Sequence, residues 1–357
     1  MDPIAHTLFG AALAEAGLKR RSRYATATLL IGANLPDIDA IATFWGPDVS
    51  LDVRRGMTHG IVALLVLPLL LAAGVWAWHR WRGHHRPPAS PHAPPYRPAA
   101  ILALAYLSVW SHPFLDWMNT YGVRVLMPFD DRWFYGDTLF IVDPWLWLLA
   151  AVGVVLARSS SRWARAGWCL LAAAPSVLLL TMDQVPVGVK LVWFAGLAAI
   201  AALRWRRPNG AGSEPVARIG LATLVLYLGT AYGLARVAED TVANRFPGAT
   251  EVQSNPAIGV PFTHRLVVVD GPVYRIVAED GTVHELRREA PDAVVRQALA
   301  DPSVRGFVRW MRFPWWTVEE RPDRWIVRLY DLRYQGPDLT ETRGIGAAVV
   351  EVPRHGH

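Results

Sequence analysis

The stretch AAILALAYLSVWSHPFLDWM, residues 99–118, is long and apolar enough to cross a membrane, yet a histidine and an aspartate lie near its end. A helix that spans a bilayer needs ~20 predominantly apolar residues, which is the length of this stretch. His112 and Asp116 are four residues apart, so a helix would place both side chains on one face. Because ionisable groups at membrane depth are costly, they usually have a function. The stretch therefore predicts a membrane helix that carries part of a polar site.

Other apolar segments extend this pattern over the first two thirds of the chain. Five more have near-spanning length, namely 60–78, 139–157, 164–182, 186–203 and 217–236. Segments 3–17 and 24–34 are shorter and predict half-depth helices packed inside the bundle. We therefore predict an α-helical membrane bundle of about six long and two short helices over residues 1–237.

Residues 238–357 alternate charged and apolar side chains, as a soluble α+β domain does. Strands are predicted at 265–270, 273–280, 282–288, 315–320, 325–334 and 347–352. The pairs Asp270-Gly271 and Asp280-Gly281 are hairpin turn signals. A helix is predicted over residues 291–312. No catalytic constellation is visible in this domain.

The loops between the apolar segments predict the topology. Residues 19–23, 79–97, 158–165 and 204–218 are rich in Arg or Lys, whereas the loops between them carry aspartates. Cytoplasmic loops have an excess of Lys and Arg, so the basic loops are placed in the cytoplasm. The His/Asp motifs and the C-terminal domain then lie on the outer side of the inner membrane. The Pro-rich part of one basic loop, residues 83–98, predicts a solvated linker.

Composition argues against nucleic-acid binding and against sites built from cysteine. The net charge of +6 sits in short loops between apolar segments, so it does not indicate nucleic-acid binding. Cys169 is the only cysteine, which leaves neither a disulfide nor a thiolate metal site.

Imidazole and carboxylate side chains elsewhere in the chain complete a candidate metal site. The candidate ligands are His6, Asp37, Asp39, His59, His112 and Asp116. This ligand set suits zinc, manganese or iron, and zinc is the first choice. Taken alone, the Asn-x-Pro-Asp-x-Asp run at 34–39 is also a common turn or helix start. His59 could also act as a helix cap.

Three further residues are candidates for catalysis. Arg55 suits an anionic group, because its planar fork binds phosphate or carboxylate in a bidentate manner. It could instead contact lipid head groups. Asp137 and Asp143 are candidate acid/base groups, and Asp143 stands at the start of an apolar segment where an unpaired carboxylate is expensive. Its alternative role is to cap the helix that Pro144 opens.

Together these motifs resemble those of the YdjM/YfhP family of membrane-bound proteins. The matching patterns are Met-Asp-x-Ile-Ala-His-Thr-x-x-Gly from residue 1, Asn-x-Pro-Asp-x-Asp at 34–39, Arg-Gly-x-Thr-His at 55–59, Ser-His-x-x-x-Asp at 111–116 with Thr120-Tyr121-Gly122, Phe-x-x-Asp-Pro at 140–144 and Asp-Leu-Arg-Tyr at 331–334. The resemblance implies a metal-dependent hydrolase.

A more distant similarity is to the all-helical zinc-dependent phospholipases C and single-strand nucleases. By that pattern Asp37 or Asp39, His59, His112 and Asp116 would bind metal, and His6 would join them. The chain lacks the N-terminal Trp ligand and the downstream histidines of that pattern. The resemblance therefore implies one or two divalent ions rather than three.

The leading hypothesis is a membrane-integral phosphoesterase that acts on a lipid or lipid-linked phosphate at the outer leaflet. The alternative is a non-catalytic transporter or assembly factor with a structural metal site. A membrane protease is disfavoured, because the chain has no His-Glu-x-x-His motif. The expected partner is a membrane lipid and not a nucleic acid.

Overall fold

The computed structural model describes residues 1–85, 94–335 and 345–354. Residues 86–93, in the predicted Pro-rich loop, lie outside the described part. Two compact units divide the chain. The membrane unit consists of Met1–Ile38, Arg55–Leu234 and Pro256–Phe262, and the second unit consists of Asp39–Arg54, Ala235–Asn255 and Thr263–His357.

Helices account for most of the chain up to residue 245. They are α1 (Pro3–Glu15), α2 (Ala25–Gly32), α3 (Pro47–Val53), α4 (Ile61–His85), α5 (Pro98–Trp117), α6 (Pro144–Arg158), α7 (Arg162–Thr181), α8 (Val187–Arg206) and α9 (Ser213–Arg245). A 3₁₀ helix at Leu35–Trp45 follows α2. Within the described residues, α4, α5, α7, α8 and α9 are long and apolar enough to span a membrane. The predicted helical membrane bundle is confirmed.

The predicted span 139–157 is wrong at its start. The helix there is α6, which begins at Pro144 and has 15 residues. Asp143 has an extended backbone and is the N-cap of α6, because its carboxylate accepts a hydrogen bond from the Leu146 N–H at 2.8 Å. Pro144 occupies the first helical position, where its missing N–H costs nothing.

Burial separates the interior helices of the membrane unit from those at its surface. Leu70 on α4 and Leu226 on α9 are exposed apolar side chains on candidate spans. In contrast, Leu8 on α1 and Leu146 on α6 are buried in one apolar core. The short helices α1 and α6 therefore form the interior, and apolar faces of the long helices are available to lipid.

Gly32 lets α2 pack closely against α5, and this packing positions part of the polar site. A Cβ on Gly32 would overlap the side chain of Ser108 on α5. The Ser108 hydroxyl itself donates to the Leu104 carbonyl at 2.8 Å. This close approach places the carbonyl of Ala33, the residue after α2, within 2.7 Å of a ring nitrogen of His112.

The C-terminal part of the chain carries two antiparallel sheets and short helices. The first sheet has the order β1 (Glu251–Ala257), β2 (Val260–Asp270), β3 (Val273–Val277), β4 (Val283–Arg287). The second has the order β5 (Pro314–Glu320), β6 (Arg324–Asp331), β7 (Ala347–Pro353). β2 and β3 form the predicted hairpin, with Asp270 paired to Val273. The predicted α+β character is confirmed.

The single helix predicted over 291–312 is wrong. The structure has α10 (Ala293–Leu299), a 3₁₀ turn (Pro302–Val304) and α11 (Arg305–Trp310). Pro302 explains the break, because a proline disfavours helical geometry at the residue before it. Asp301 accordingly has φ −67° and ψ 129°, which is extended backbone.

An early segment of the chain belongs to the second unit. Residues 39–54 include α3, which packs against α11. The Asp48 carboxylate accepts a hydrogen bond from the Phe307 N–H at 2.9 Å, and Asp52 pairs with Arg309 at 3.0 Å. The sequence analysis had placed this segment with the membrane helices.

The Gly32 contact predicts a stability difference between two glycine substitutions. Gly32→Ala is expected to destabilise the protein by about 1–3 kcal/mol, because the added methyl group overlaps Ser108. Gly74→Ala on α4 is the matched control, since a Cβ there meets nothing within 4 Å. Thermal unfolding of the two purified variants in detergent measures the difference. Equal midpoints would contradict the close α2–α5 contact.

Candidate metal centre

Four predicted ligands come together in the membrane unit. One donor atom from each of Asp37, His59, His112 and Asp116 lies within 4.8 Å of the other three. Asp37 comes from the 3₁₀ helix after α2, His59 from the turn before α4, and His112 and Asp116 from α5. The side chains of His59, His112 and Asp116 are at most 1% exposed, whereas that of Asp37 is 10% exposed.

His112 is oriented by a hydrogen bond on the far side of its ring. Its Nδ1 lies 2.7 Å from the Ala33 carbonyl oxygen, which can only accept, so Nδ1 carries a proton. In the neutral ring, Nε2 is then unprotonated and available to a metal. This Nε2 lies 3.1 Å from His59 Nε2, 3.4 Å from Asp116 Oδ2 and 3.7 Å from Asp37 Oδ1. Pro113 lies inside α5, which continues to Trp117.

The turn that carries His59 is held by the neighbouring loop. The Ile61 N–H donates to the Val125 carbonyl at 2.8 Å, and the Arg124 N–H donates to the Arg55 carbonyl at 2.9 Å. A Cβ on Gly60 would overlap the Met127 carbonyl, so the turn can lie this close only with glycine. The His59 Nδ1 lies 3.1 Å from the Thr58 hydroxyl, which leaves Nε2 facing Asp116 at 3.2 Å.

The two oxygens of Asp116 have different surroundings. Oδ2 faces the Nε2 atoms of His59 and His112. Oδ1 accepts from Arg55 Nη2 at 3.0 Å, lies 3.2 Å from His6 Nε2 and pairs with the amino group of Met1. The carboxylate therefore links the histidine pair to a set of positive and hydrogen-bonding groups.

Arg55 is a positioning residue for Asp116 in this structure. Besides the ion pair, its Nη1 donates to Asn119 Oδ1 at 3.0 Å and to the Gly122 carbonyl at 3.2 Å. Its guanidinium lies 4.4 Å from the centre of the Tyr121 ring. Arg55 is 2% exposed and has φ +53°, an uncommon conformation for a residue with a side chain. Its predicted contact with a substrate phosphate stays a prediction.

His6 lies beside the group of four and on the Arg55 side of Asp116. Its ring stacks on that of His112, with centroids 3.7 Å apart and planes 17° apart. Burial, with the neighbouring His112 as a smaller cause, lowers the pKa of His6 to about 3. The ring is therefore neutral at physiological pH.

Three other predicted residues have different surroundings. Asp39 belongs to the second unit, where it lies 3.9 Å from Arg54 Nε. Asp137 is buried, with φ +48°, and is outside the group of four. Asp143 caps α6 and accepts a hydrogen bond from the Tyr227 hydroxyl at 2.6 Å. Burial raises the pKa of Asp143 to about 6. For Asp143 the structure shows the capping alternative.

The donor set fits a divalent metal ion. Zinc binds nitrogen and carboxylate oxygen at ~2.0–2.2 Å, so tetrahedral ligand atoms are about 3.3–3.6 Å apart. The contacts among His59, His112 and Asp116 are 3.1–3.4 Å, and the contact between Asp37 and His112 is 3.7 Å. Two imidazole nitrogens and two carboxylates this close together make a dense, buried set of electron pairs. A cation would neutralise them.

The contacts that hold the ligands have little signal in the sequence. The Ala33 carbonyl, which orients His112, carries no signal in the sequence, because every residue has a carbonyl. Asn119 supports Asp116 through Arg55. The Ser111 hydroxyl donates to the Ser108 carbonyl at 2.8 Å and, among the described residues, makes no hydrogen bond to a ligand.

Comparison with known proteins agrees with the resemblance in the motifs. The YdjM inner membrane protein family matches residues 1–187, which include all four grouped ligands. The uncharacterized protein YfhP of Bacillus subtilis (strain 168) is 22% identical over 311 residues, which are 86% of this chain and 76% of that protein. No solved structure matches the chain significantly. Because the family match covers more than half of the 357 residues and five described helices can span a membrane, this chain is an integral membrane protein of the YdjM family.

Proposed function

We propose that this protein is a metal-dependent hydrolase, and that its substrate is a phosphoester of a lipid or lipid-linked group. One observation carries the proposal, namely the convergence of Asp37, His59, His112 and Asp116 donor atoms within 4.8 Å. Zinc is the first choice of ion, because two imidazoles and two carboxylates suit it, and manganese or iron are alternatives.

The residues of the chain have distinct roles in this proposal. A bound divalent ion would lower the pKa of water and polarise the phosphoryl group of the substrate. His59, His112, Asp37 and Asp116 hold that ion, and neutral His6 lies close enough to Asp116 to serve as a further ligand. Arg55 and Asn119 keep the Asp116 carboxylate turned toward the histidines. Arg55 also supplies positive charge near the phosphate.

The position of the centre supports an amphiphilic substrate. His112 and Asp116 occupy the last turns of α5, which is a candidate span. A group at the end of a span lies near the boundary between hydrocarbon and head groups. A lipid phosphate would lie at that depth without leaving the bilayer. The basic loops at the opposite ends of the helices favour the outer leaflet.

Access to the centre is expected from the side of Asp37. Its side chain is 10% exposed, whereas those of the other three ligands are at most 1% exposed. Its contact with His112, at 3.7 Å, is longer than the 3.1–3.4 Å contacts among the other three ligands. A catalytic ion keeps one coordination position open for water or substrate. Asp37 is the ligand that we expect to leave the ion and open this position.

The alternative, a structural ion in a transporter or assembly factor, is favoured by a different feature of the same geometry. Four protein donors complete the coordination of a tetrahedral ion, and sites that have no open coordination position are structural. In that case the ion stabilises the bundle and no ester is cleaved. Asp37 distinguishes the two functions, because only a catalytic centre requires an open position.

The metal proposal predicts a difference between two histidine substitutions. Purified wild-type protein is expected to hold about one equivalent of zinc or a related metal, and His112→Ala is expected to lose at least about 90% of it, because both the ligand and its orientation are removed. His79→Ala is the matched control, since His79 on α4 stacks on Tyr96 and is outside the group. Elemental analysis by mass spectrometry measures the content. Equal metal in both variants, or none in the wild type, would refute the centre.

The hydrolase proposal predicts loss of activity on chelation and recovery on re-addition of the metal. The assay uses a soluble aryl phosphate and vesicles that contain a phospholipid, each followed by phosphate or head-group release. Arg55→Lys is expected to lower kcat by about 10- to 100-fold with metal content little changed, because lysine cannot hold both Asp116 and Asn119.

The variant Asp37→Ala distinguishes a catalytic metal ion from a structural one. If the centre is catalytic, this variant keeps most of the metal and has altered kcat or KM. A fully loaded wild-type protein without activity on either substrate, whose thermal midpoint falls on chelation, would support the structural alternative instead.

A further inference from the structure

An apolar cavity of about 690 Å³ lies inside the membrane unit, away from the candidate metal centre. Its walls come from α1, α6, α7 and α8, and they include the rings of Trp147, Trp168 and Trp193. The volume is within the ~300–1,000 Å³ range of pockets that bind small molecules. The cavity is therefore large enough for a ligand and is apolar along most of its length.

A second cavity of about 530 Å³ adjoins the first. Both are lined by Ile4, Leu8, Trp168 and Leu171, so α1 and α7 form a shared wall. Two neighbouring apolar grooves match the two acyl chains of a glycerophospholipid. A sugar or a nucleotide would leave such walls without hydrogen bonds to its polar groups.

The first cavity has a positively charged end. Arg165 of α7 and Arg204 of α8 line it beside Ser159 and Ser160, which follow α6. Arg204 donates to the Ser159 hydroxyl at 2.6 Å, and Arg165 donates from Nη1 to the Ser160 carbonyl at 3.1 Å. Among the described residues, neither guanidinium pairs with a carboxylate. Their two positive charges are thus uncompensated at the mouth of an apolar cavity.

These two arginines also donate hydrogen bonds to the residues that follow α6, so part of their role is structural. Arg204 donates from Nε and Nη2 to Ser159 and from Nη1 to the Arg207 carbonyl, which leaves one N–H on each of Nη1 and Nη2. Arg165 is exposed and donates from Nη1, to the Ser159 and Ser160 carbonyls. Its remaining N–H groups can bind an anion, and arginine binds phosphate in a bidentate manner.

The length of the cavity agrees with one leaflet of a bilayer. Trp147 on α6 and Ser159, the residue directly after α6, both line it and are twelve positions apart, which corresponds to about 18 Å along the helix axis. Half of a bilayer hydrocarbon core is about 15 Å thick. The charged end lies after the carboxyl end of α6, whereas Trp147 at the other end donates to Asp2, four residues before His6. The charged end is therefore remote from the metal centre.

We propose that these two cavities bind one anionic glycerophospholipid, with its phosphate at Arg165 and Arg204 and its acyl chains along α1 and α7. This lipid is not the substrate of the proposed hydrolase, because its phosphate lies at the opposite end of α6 from His6. It fills voids between helices that would otherwise leave the bundle poorly packed. The inference is independent of metal binding.

Native mass spectrometry of the delipidated full chain in detergent tests this site. Equal amounts of phosphatidylglycerol and phosphatidylcholine with identical acyl chains are added, and the ratio of the two bound adducts is measured. The wild type is expected to prefer phosphatidylglycerol, and Arg165→Gln is expected to lower that preference by about fivefold. Arg162→Gln, one turn earlier on α7, is the matched control, since Arg162 does not line the cavity.

Further variants separate the head group from the acyl chains. Arg165→Lys keeps the charge and should keep the preference, which guards against loss through misfolding. Ala172→Phe narrows the cavity and should lower binding of both lipids. An unchanged ratio in Arg165→Gln, or unchanged lipid binding in Ala172→Phe, would overturn the proposal. If inorganic phosphate alone abolishes the preference at low millimolar concentration, the site binds free phosphate and not a lipid.

A final arm distinguishes this inference from the proposed function. His112→Ala, which is expected to lose the metal, should keep the lipid preference of the wild type. Lipid binding in a protein without hydrolase activity would support the lipid site and refute only the hydrolase. Loss of the preference in His112→Ala, at unchanged thermal stability, would show that the two sites are one and would overturn the proposal.

Discussion

A fully buried carboxylate, Asp116, determines how the helices around it are arranged. Taking an ionised carboxylate out of water costs several kcal/mol unless other groups replace its hydration. Here the replacements at Oδ1 come from Arg55 in the turn before α4, from the amino group of Met1 and from His6 on α1, while Oδ2 faces His59 and His112, where a bound cation would stabilise it. Each of these elements must stay within hydrogen-bond distance of one side chain, so the polar centre constrains the packing of the apolar helices.

Close packing makes that convergence possible. Gly32 lets α2 approach α5, and Gly60 lets the His59 turn lie against the Met127 carbonyl. A chain of orienting contacts then runs outward from the centre, from His112 to the Ala33 carbonyl and from Asp116 through Arg55 to Asn119. Such supporting contacts fix the direction of ligand atoms, and their loss typically costs 10- to 100-fold in metal affinity or activity. Small residues remote from the chemistry are therefore as important for the centre as some of its ligands.

The membrane unit combines two environments that are rarely found so close together. One end of α1 carries His6 in a dense polar cluster, while the rest of α1 lines apolar cavities that face α7. The polar cluster has its own hydrogen-bond network, whereas the charged residues that line the two apolar cavities are Arg165 and Arg204 in the first and the paired Glu15 and Arg158 in the second. This separation is consistent with a protein that handles an amphiphile at one level of the bilayer and is stabilised by a lipid at another.

Local sequence determined much of this protein. Apolar length predicted the spans, because insertion into a bilayer depends on the hydropathy of each segment by itself, and five of the six long segments are confirmed as candidate spans. Pro302, which breaks the helix predicted over 291–312, and Pro144, which begins α6, are also local signals. The predictions for these two segments followed the longer helical or apolar pattern and did not use them. His112 and Asp116 share a helix, so their proximity followed from their spacing.

Only the tertiary structure decided which of the remaining polar residues meet. Asp37 and Asp39 are two positions apart and chemically identical, yet Asp37 faces His112 and Asp39 lies near Arg54 in the second unit. Asp143 became a helix cap, and Arg55 became the partner of Asp116. The pairs Asp37–His112 and Arg55–Asp116 join residues more than fifty positions apart in the chain. Such contacts arise from packing of whole helices, which no pattern along a single segment encodes.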